Sequence, residues 1–259
     1  ETDAQGRVLR FLDNGKIMHG SQFRGPAMAR IPTAYYGFES GGGITLLIHP
    51  LRIQAKPVRV GVIGLGAGTL AAYCKPGDAF RFYEINPDVV RVAKEYFTYL
   101  KDCPGLVEVV TGDARIALEE ELMAGGGNRF DILIVDAFTD DAIPAHLLTR
   151  EAFALWRAHL AGSAAILAVH ISNNHLDLAP LVAMLARDAA WNAVLVDTSG
   201  NPEEAGTRSQ WMLISPDPIV FESPAIRRYA KRQRSGDQDI RLWTDEYSSI
   251  FQVLRNIWF

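Results

Sequence analysis

Val58-Arg59-Val60-Gly61-Val62-Ile63-Gly64-Leu65-Gly66-Ala67-Gly68-Thr69-Leu70 decides how the rest of the chain is read. It opens as an apolar, β-branched run, the composition of a strand buried on both faces. It then breaks into Gly64, Gly66 and Gly68, and Thr69-Leu70-Ala71-Ala72 has the composition of a helix start. A strand, a tight glycine turn and a helix N-terminus make a nucleotide-type site. Glycines let a ligand approach the backbone, and the helix end offers unpaired N–H donors. The spacing G-x-G-x-G lacks the later glycine of the dinucleotide fingerprint G-x-G-x-x-G. Alone, it is equally the signature of a turn that needs positive φ.

The following strands add chemistry to that turn. Ala79-Phe80-Arg81-Phe82-Tyr83 is strand-like and ends at Glu84, about 20 residues beyond Gly64, where a carboxylate can accept both hydroxyl hydrogens of a ribose. Val107-Glu108-Val109-Val110 ends in Thr111-Gly112-Asp113-Ala114. An acid at that third tip can take the exocyclic amine of an adenine. A glycine turn, an acid and an acid at three successive strand tips match a nucleoside-binding α/β sheet. The plainer alternative for Glu84 or Asp113 is a helix N-cap or a solvated strand end.

The whole chain sets bounds on function. Its 259 residues suffice for one large domain, or one and a small appendage. With 48% hydrophobic and 22% charged residues, the composition is that of a globular protein with a real core. A formal net charge of -4 argues against a chain-wide basic surface for nucleic acid. Cys74 and Cys103 have no metal-ligand spacing, so a reducing compartment, free thiols and no bound metal are expected. No stretch is long and apolar enough to span a bilayer. The chain opens at Glu1 without a signal-peptide pattern or an initiator Met, the expectation for a part excised from a longer protein.

Residues 1–56 differ from the remainder and predict a small β-rich domain walling one side of the cleft. Arg7 to Leu12 alternates as a strand, Asp13-Asn14-Gly15-Lys16 is a hairpin turn, and Lys16 to His19 returns. Gly20 to Arg24 reads as a polar loop, Glu39 to Gly43 as a flexible or anion-friendly loop, and Ile44 to His49 as a short helix or strand. Tyr35 and Tyr36 are either pocket residues or plain packing. Residues 57–259 alternate strand and helix. The helices are placed at Pro87 to Tyr99, Ala114 to Met123, Leu147 to His159 and Leu178 to Asp188, and the later strands at Phe130 to Asp136, Ser163 to His170, Trp191 to Asp197 and Ser209 to Ser215. The alternation predicts a mainly parallel, doubly wound sheet with its ligand at the carboxyl ends of the strands.

Asp136 closes the fourth strand and opens a loop carrying Asp140 and Asp141. Three carboxylates in one short loop are costly unless a cation pairs with them, and an amine substrate supplies that charge. A carboxylate beside an amine also removes its proton and frees the lone pair for attack at carbon. For Asp140 and Asp141, helix capping and solvent exposure are the alternatives.

Gly64-Leu65-Gly66-Ala67-Gly68, Glu84-Ile85-Asn86, Gly112-Asp113-Ala114-Arg115 and the Asp136 to Leu148 loop resemble the spermidine synthase (polyamine aminopropyltransferase) family, and most of all its bacterial spermidine synthase-like domains, some of them fused to membrane segments. Pro32 to Gly37, His170-Ile171-Ser172-Asn173 and Trp243 to Ser248 are also similar. The resemblance implies a Rossmann-like, methyltransferase-type sheet with a small N-terminal β domain. It implies decarboxylated S-adenosylmethionine as donor, a small amine (a polyamine) as acceptor, methylthioadenosine as product, a homodimer and a cytoplasmic location. Nucleoside contacts would fall to Gly64, Gly66, Gly68, Glu84, Ile85, Asp113 and Ala114, with Glu84 on the ribose and Asp113 on the adenine. Asp136 would deprotonate the attacking amine; Gln22, Tyr36, Asp140 and Asp141 would face the acceptor or the donor's side chain.

Two departures from the family pattern leave alternatives open. The family carries an aspartate inside the glycine turn, where it holds the donor's free amine; here that residue is Ala67. The family's Asp-Ser-Ser-Asp-Pro after the fourth strand is replaced by Ala137, Phe138 and a shifted Asp140-Asp141. An S-adenosylmethionine-dependent methyltransferase or another transferase consuming intact S-adenosylmethionine is one alternative. A non-catalytic nucleoside-binding regulatory domain is the second. A nicotinamide-dependent enzyme is disfavoured by the glycine spacing.

Overall fold

Short apolar runs build the sheet, because a strand with helices on both faces has no solvent side to mark with polar residues. The computed structural model describes residues 1–3, 5–14, 17–137, 144–231 and 240–255. β1 (Leu9–Asn14) and β2 (Ile17–Phe23) form an antiparallel hairpin. Two helices follow, α1 (Gly41–Ile48) and α2 (Pro50–Ile53). Next come β3 (Arg59–Ile63), β4 (Ala79–Glu84), α3 (Pro87–Tyr96), β5 (Leu106–Thr111), α4 (Ala114–Gly125) and β6 (Ile132–Val135). The chain continues through α5 (Arg150–Ala158), β7 (Ile166–His170), α6 (Ala179–Asp188), β8 (Asn192–Thr198), β9 (Ser209–Ser215), α7 (Pro224–Tyr229) and β10 (Ala230–Lys231).

The sheet order is β10-β8-β9-β7-β6-β3-β4-β5. β3 pairs in parallel with β4 on one side and β6 on the other; β5 and β7 extend the parallel run, and β9 enters antiparallel to both β7 and β8. Chain direction across the sheet reverses between β3 and β6, and such a switch point opens a crevice at the carboxyl ends of its strands. This is the Rossmann-like, methyltransferase-type architecture expected from the sequence.

Two apolar clusters cover the two faces. One holds Leu118, Trp156 and Leu181 from α4, α5 and α6 against Leu133, Leu167 and Ile214 of the sheet. The other holds Ile44, Val90 and Ile226 from α1, α3 and α7 against Val60, Phe80 and Leu213. Residues 41–48 and 50–53 are helical, and α1 already packs on the sheet; among the described residues, strand content before β3 is confined to the hairpin and isolated bridges.

Local expectations are corrected in four places. The residues from Gly20 to Phe23 continue β2 instead of looping out. Their polarity is internal: Ser21 Oγ bonds Thr33 Oγ1 at 2.9 Å, and the Gln22 amide donates to Ala29 O and Thr98 Oγ1, both at 2.8 Å. Buried polar groups that find partners read as a loop in a period count and pack as a strand. The glycines of Glu39 to Gly43 open α1, capped by Ser40. A Cβ at Gly41 would meet the Trp211 Cβ at 2.3 Å, so these glycines are there for close packing. Thr69–Tyr73 forms a short 3-10 turn after left-handed Gly68 (φ 79°), in place of the helix expected there. Gly15 and Lys16 of the expected hairpin turn lie outside the described residues.

The fourth correction concerns the cysteines. Cys74 and Cys103 form a disulfide, with Cα atoms 5.2 Å apart and a sequence separation of 29. No local spacing reports such a pair; the fold brings it together beside the amino ends of the strands. Disulfides persist in oxidising surroundings, so the cysteines no longer support a reducing compartment. No helix among the described residues is long and apolar enough to cross a membrane.

Candidate active site

The ladders of the sheet run on past the strand ends and set the tips side by side. Gly64 N–H donates to Tyr83 O at 2.8 Å, Gly112 N–H to Glu84 O at 2.9 Å, and Asp136 N–H to Ile63 O at 2.8 Å. A cavity of about 380 Å³ opens there, within the size range of small-molecule sites. Gly64, Gly66, Glu84, Ile85, Asp113, Ala114 and Asp136 line it, as does Tyr36 from the N-terminal segment. Gln22 and Gly68 do not. The Gln22 side chain is spent on residues 29 and 98, and a Cβ at Gly68 would press on Leu100. Asp140 and Asp141 lie outside the described residues.

The glycines of the turn answer first to the protein itself. A Cβ at Gly64 (φ 97°) would sit 2.1 Å from Asp136 O, and one at Gly66 (φ 52°) 2.3 Å from His19 O. The turn is thus clamped between the tip of β6 and the backbone of β2. Ala67 is fully buried under that same strand, where a Cβ at Gly20 would meet its Cβ at 2.7 Å.

The acids divide their oxygens between scaffold and cavity. Glu84 Oε2 accepts the Leu65 N–H at 3.0 Å and Oε1 the Asn86 N–H at 2.9 Å, so this carboxylate braces the glycine turn and the entry to α3. Asp113 caps α4: its Oδ1 accepts from the N–H groups of Arg115 (2.8 Å) and Ile116 (3.1 Å), and its Oδ2 lies 3.2 Å from His146 Nε2. The helix-cap alternative is realised at Asp113, on a carboxylate that also faces the cavity.

Asp136 is more enclosed than Asp113, its side chain 5% exposed against 24%. Its Oδ2 accepts from the Tyr36 hydroxyl at 2.5 Å, and its Oδ1 lies 2.8 Å from His170 Nδ1. Burial foremost, and then the Asp136 charge, push the Tyr35 and Tyr36 phenols well above their ordinary range. Both phenols therefore keep their protons, and Tyr36 can only donate to the carboxylate. Among the described residues no Lys or Arg lines the cavity, and none is ion-paired with Glu84, Asp113 or Asp136. A hollow walled by three carboxylates, with no Lys or Arg among its described lining residues, suits a positively charged ligand.

His170, Ser172 and His146 also line the cavity and escape a reading limited to acids and glycines, and Tyr35 joins Tyr36 there as a pocket residue. The signal was available for His170. It is a polar residue ending an apolar strand, the rule that found Glu84, Asp113 and Asp136.

No protein-family model matches the chain. The polyamine aminopropyltransferase of Vibrio vulnificus is 26% identical to it, over 93% of this chain and 83% of that protein. A probable spermidine synthase from Corynebacterium glutamicum shares the fold with a TM-score of 0.61 at 18% identity, covering 83% of this chain and 75% of that one. Human methyltransferase-like protein 13, solved in complex with SAH, does so with a TM-score of 0.55 at 18% identity, over 76% and 92% of the two chains. The chain is thus similar in sequence to a polyamine aminopropyltransferase over nearly its whole length, and shares its fold with a probable spermidine synthase.

Proposed function

We propose that this chain is a transferase that moves an aminopropyl group from decarboxylated S-adenosylmethionine to a small amine. The observation that carries the reading is one cavity holding Glu84, Asp113 and Asp136 without Lys or Arg among its described lining residues. A sulfonium donor and an amine acceptor are both cations, and together they supply the charge the wall lacks. Glu84 and Asp113, on adjacent strand tips, hold the nucleoside through ribose hydroxyls and the adenine amine. Asp136 faces the acceptor. The N–C bond forms as the C–S bond breaks; the C–S electron pair stays on sulfur, turning the sulfonium into a neutral thioether. The proton displaced from nitrogen passes to Asp136. The leaving group is activated from the start, so positioning supplies much of the rate. The name of the Vibrio vulnificus relative supports this reaction class.

A second reading has an observation of its own. Ala67 is sealed beneath β2, so the turn presents no acid at that position to hold a free donor amine or to repel a carboxylate. Intact S-adenosylmethionine, and hence methyl transfer from the same sulfur, fits that turn. Mass spectrometry of products separates the readings when both donors are offered against a panel of amines. A product heavier by an aminopropyl group, with methylthioadenosine released, is expected. A methylated product selects the second reading, and no product from either donor removes both.

A further inference from the structure

His170 closes β7 beside Asp136, and the transfer step as written leaves it without a task. Its ring lies between two others: Tyr35 at 4.6 Å between centroids and 15° between planes, and Trp211 at 4.6 Å and 28°. The side chain is 5% exposed. Trp211 is itself backed by α1, where Gly41 and Gly42 leave no space behind the indole. Turning the imidazole over would mean moving both flanking rings, so the fold fixes which nitrogen meets Asp136. Nδ1 lies 2.8 Å from Asp136 Oδ1, and Nε2 lies 2.7 Å from Ser172 Oγ.

Counting hydrogens gives the tautomer. Ser172 Oγ accepts the Gln210 N–H at 2.8 Å. Its own single hydrogen is then available to Nε2. Asp136 Oδ1, a carboxylate oxygen, can only accept, so Nδ1 carries a proton that points at it. The opposite tautomer would set the Nδ1 lone pair against a carboxylate oxygen, which has no hydrogen to give.

We propose that His170 is a positioning residue for the transfer. Its Nδ1–H, the proton that the carboxylate itself demands, pins one oxygen of Asp136 while Tyr36 pins the other. The carboxylate is held in one rotamer, and a remaining lone pair meets the substrate N–H at a fixed angle. This rests on the transfer reading only in that Asp136 receives the proton there. After the step that proton is on Asp136, and His170 still donates to it.

Long-range ¹H–¹⁵N spectra of the whole protein, labelled at histidine and free of ligand, read the tautomer directly. The expected result is a proton on Nδ1 of His170, kept in Ser172→Ala, where the Asp136 carboxylate still selects it. Kinetics add a second readout. His170→Asn places an amide N–H where Nδ1–H stood, and His170→Leu does not. The Leu variant should lose about 10²-fold in kcat, and the Asn variant should recover about tenfold of that loss. Both should bind methylthioadenosine within about twofold of the parent protein. A proton on Nε2 in the parent protein overturns the proposal. So does a His170→Leu variant as fast as the parent, or an equal loss in both variants with nucleoside affinity falling in step. If the parent transfers nothing from either donor, the transfer reading falls, and the spectra still decide the arrangement of His170.

Discussion

At the amino ends of the strands Asp78 meets a guanidinium; at the carboxyl ends Asp136 meets a phenol and an imidazole. Both acids are enclosed, Asp78 at 1% exposure and the Asp136 side chain at 5%. Asp78 is complete. Arg52 reaches it through two nitrogens at 2.7 and 2.9 Å, and the N–H groups of Val58 (3.0 Å) and Lys75 (2.6 Å) fill its remaining positions. Asp136 has two hydrogen bonds and no cationic Lys or Arg partner among the described residues. One acid is a closed structural circuit tying α2 to the start of β4. The other, under the proposed transfer, is left to receive charge from outside. Burial is nearly the same in the two, so burial alone does not separate a structural carboxylate from a working one. The partner list does.

The strongest way to break this contrast is to neutralise each acid in turn. Asp136→Asn should lower kcat by about 10²–10⁴, or roughly 3–5 kcal/mol of barrier. It should leave both methylthioadenosine affinity and the urea midpoint near the parent values. Steady-state kinetics beside calorimetry measure this, and a variant with unchanged turnover would move the proton acceptor elsewhere. Asp78→Asn should do the reverse. It leaves Arg52 charged and buried without its counter-ion, at a cost of about 3–5 kcal/mol in stability. The kcat of the molecules that remain folded should not change. A stability loss at Asp136 as large as that at Asp78 would erase the distinction.

How much of this was legible in the chain follows the same division between local and distant partners. β3, β6 and β7 read as uninterrupted apolar runs, because both of their faces are covered. Asp136 could be placed at a strand tip because it ends such a run, and Glu84 and Asp113 because each follows a strand-like run broken by a single charged residue, Arg81 or Glu108. Legibility fails where the deciding partner is far away in sequence. Gly41 to Gly43 look like a flexible loop until Trp211 is found lying on the first two and Tyr73 on the third. Ser21 and Gln22 look solvated until Thr33 and Thr98 satisfy them. Cys74 and Cys103 look like two free thiols until the fold joins them. His170 is visible as a residue, but its task depends on Ser172, Tyr35 and Trp211 together. Ala67 shows the opposite case. The sequence marks it as a departure from the family pattern, and the structure adds the reason it stays small, the backbone of β2 lying across it.

The smallest expected effect concerns the histidines, which repeat the contrast. At the amino ends, His159 Nε2 lies 3.0 Å from Leu118 O and its Nδ1 accepts the Asn128 N–H at 3.2 Å. His49 Nε2 lies 3.1 Å from Ala164 O, and its Nδ1 accepts the Leu51 N–H at 3.3 Å. Both rings are thereby fixed as neutral Nε2–H tautomers, and burial, the largest influence on each, pushes their pKa below the ordinary 6.5. The folded state therefore resists a proton that the unfolded chain accepts. The stability from these rings is fully present above about pH 6.5 and is lost as pH falls from there through their lowered folded-state values. A urea midpoint lower at about pH 5.5 than at about pH 7.5 is expected. His159→Gln keeps an N–H for Leu118 O and cannot titrate, so it should flatten part of that slope. Asp136→Asn should leave the slope as it is, because the titration belongs to the other end of the sheet. A slope that vanished in Asp136→Asn and persisted in His159→Gln would transfer the pH sensitivity to the cavity, and the two ends would no longer divide structure from chemistry.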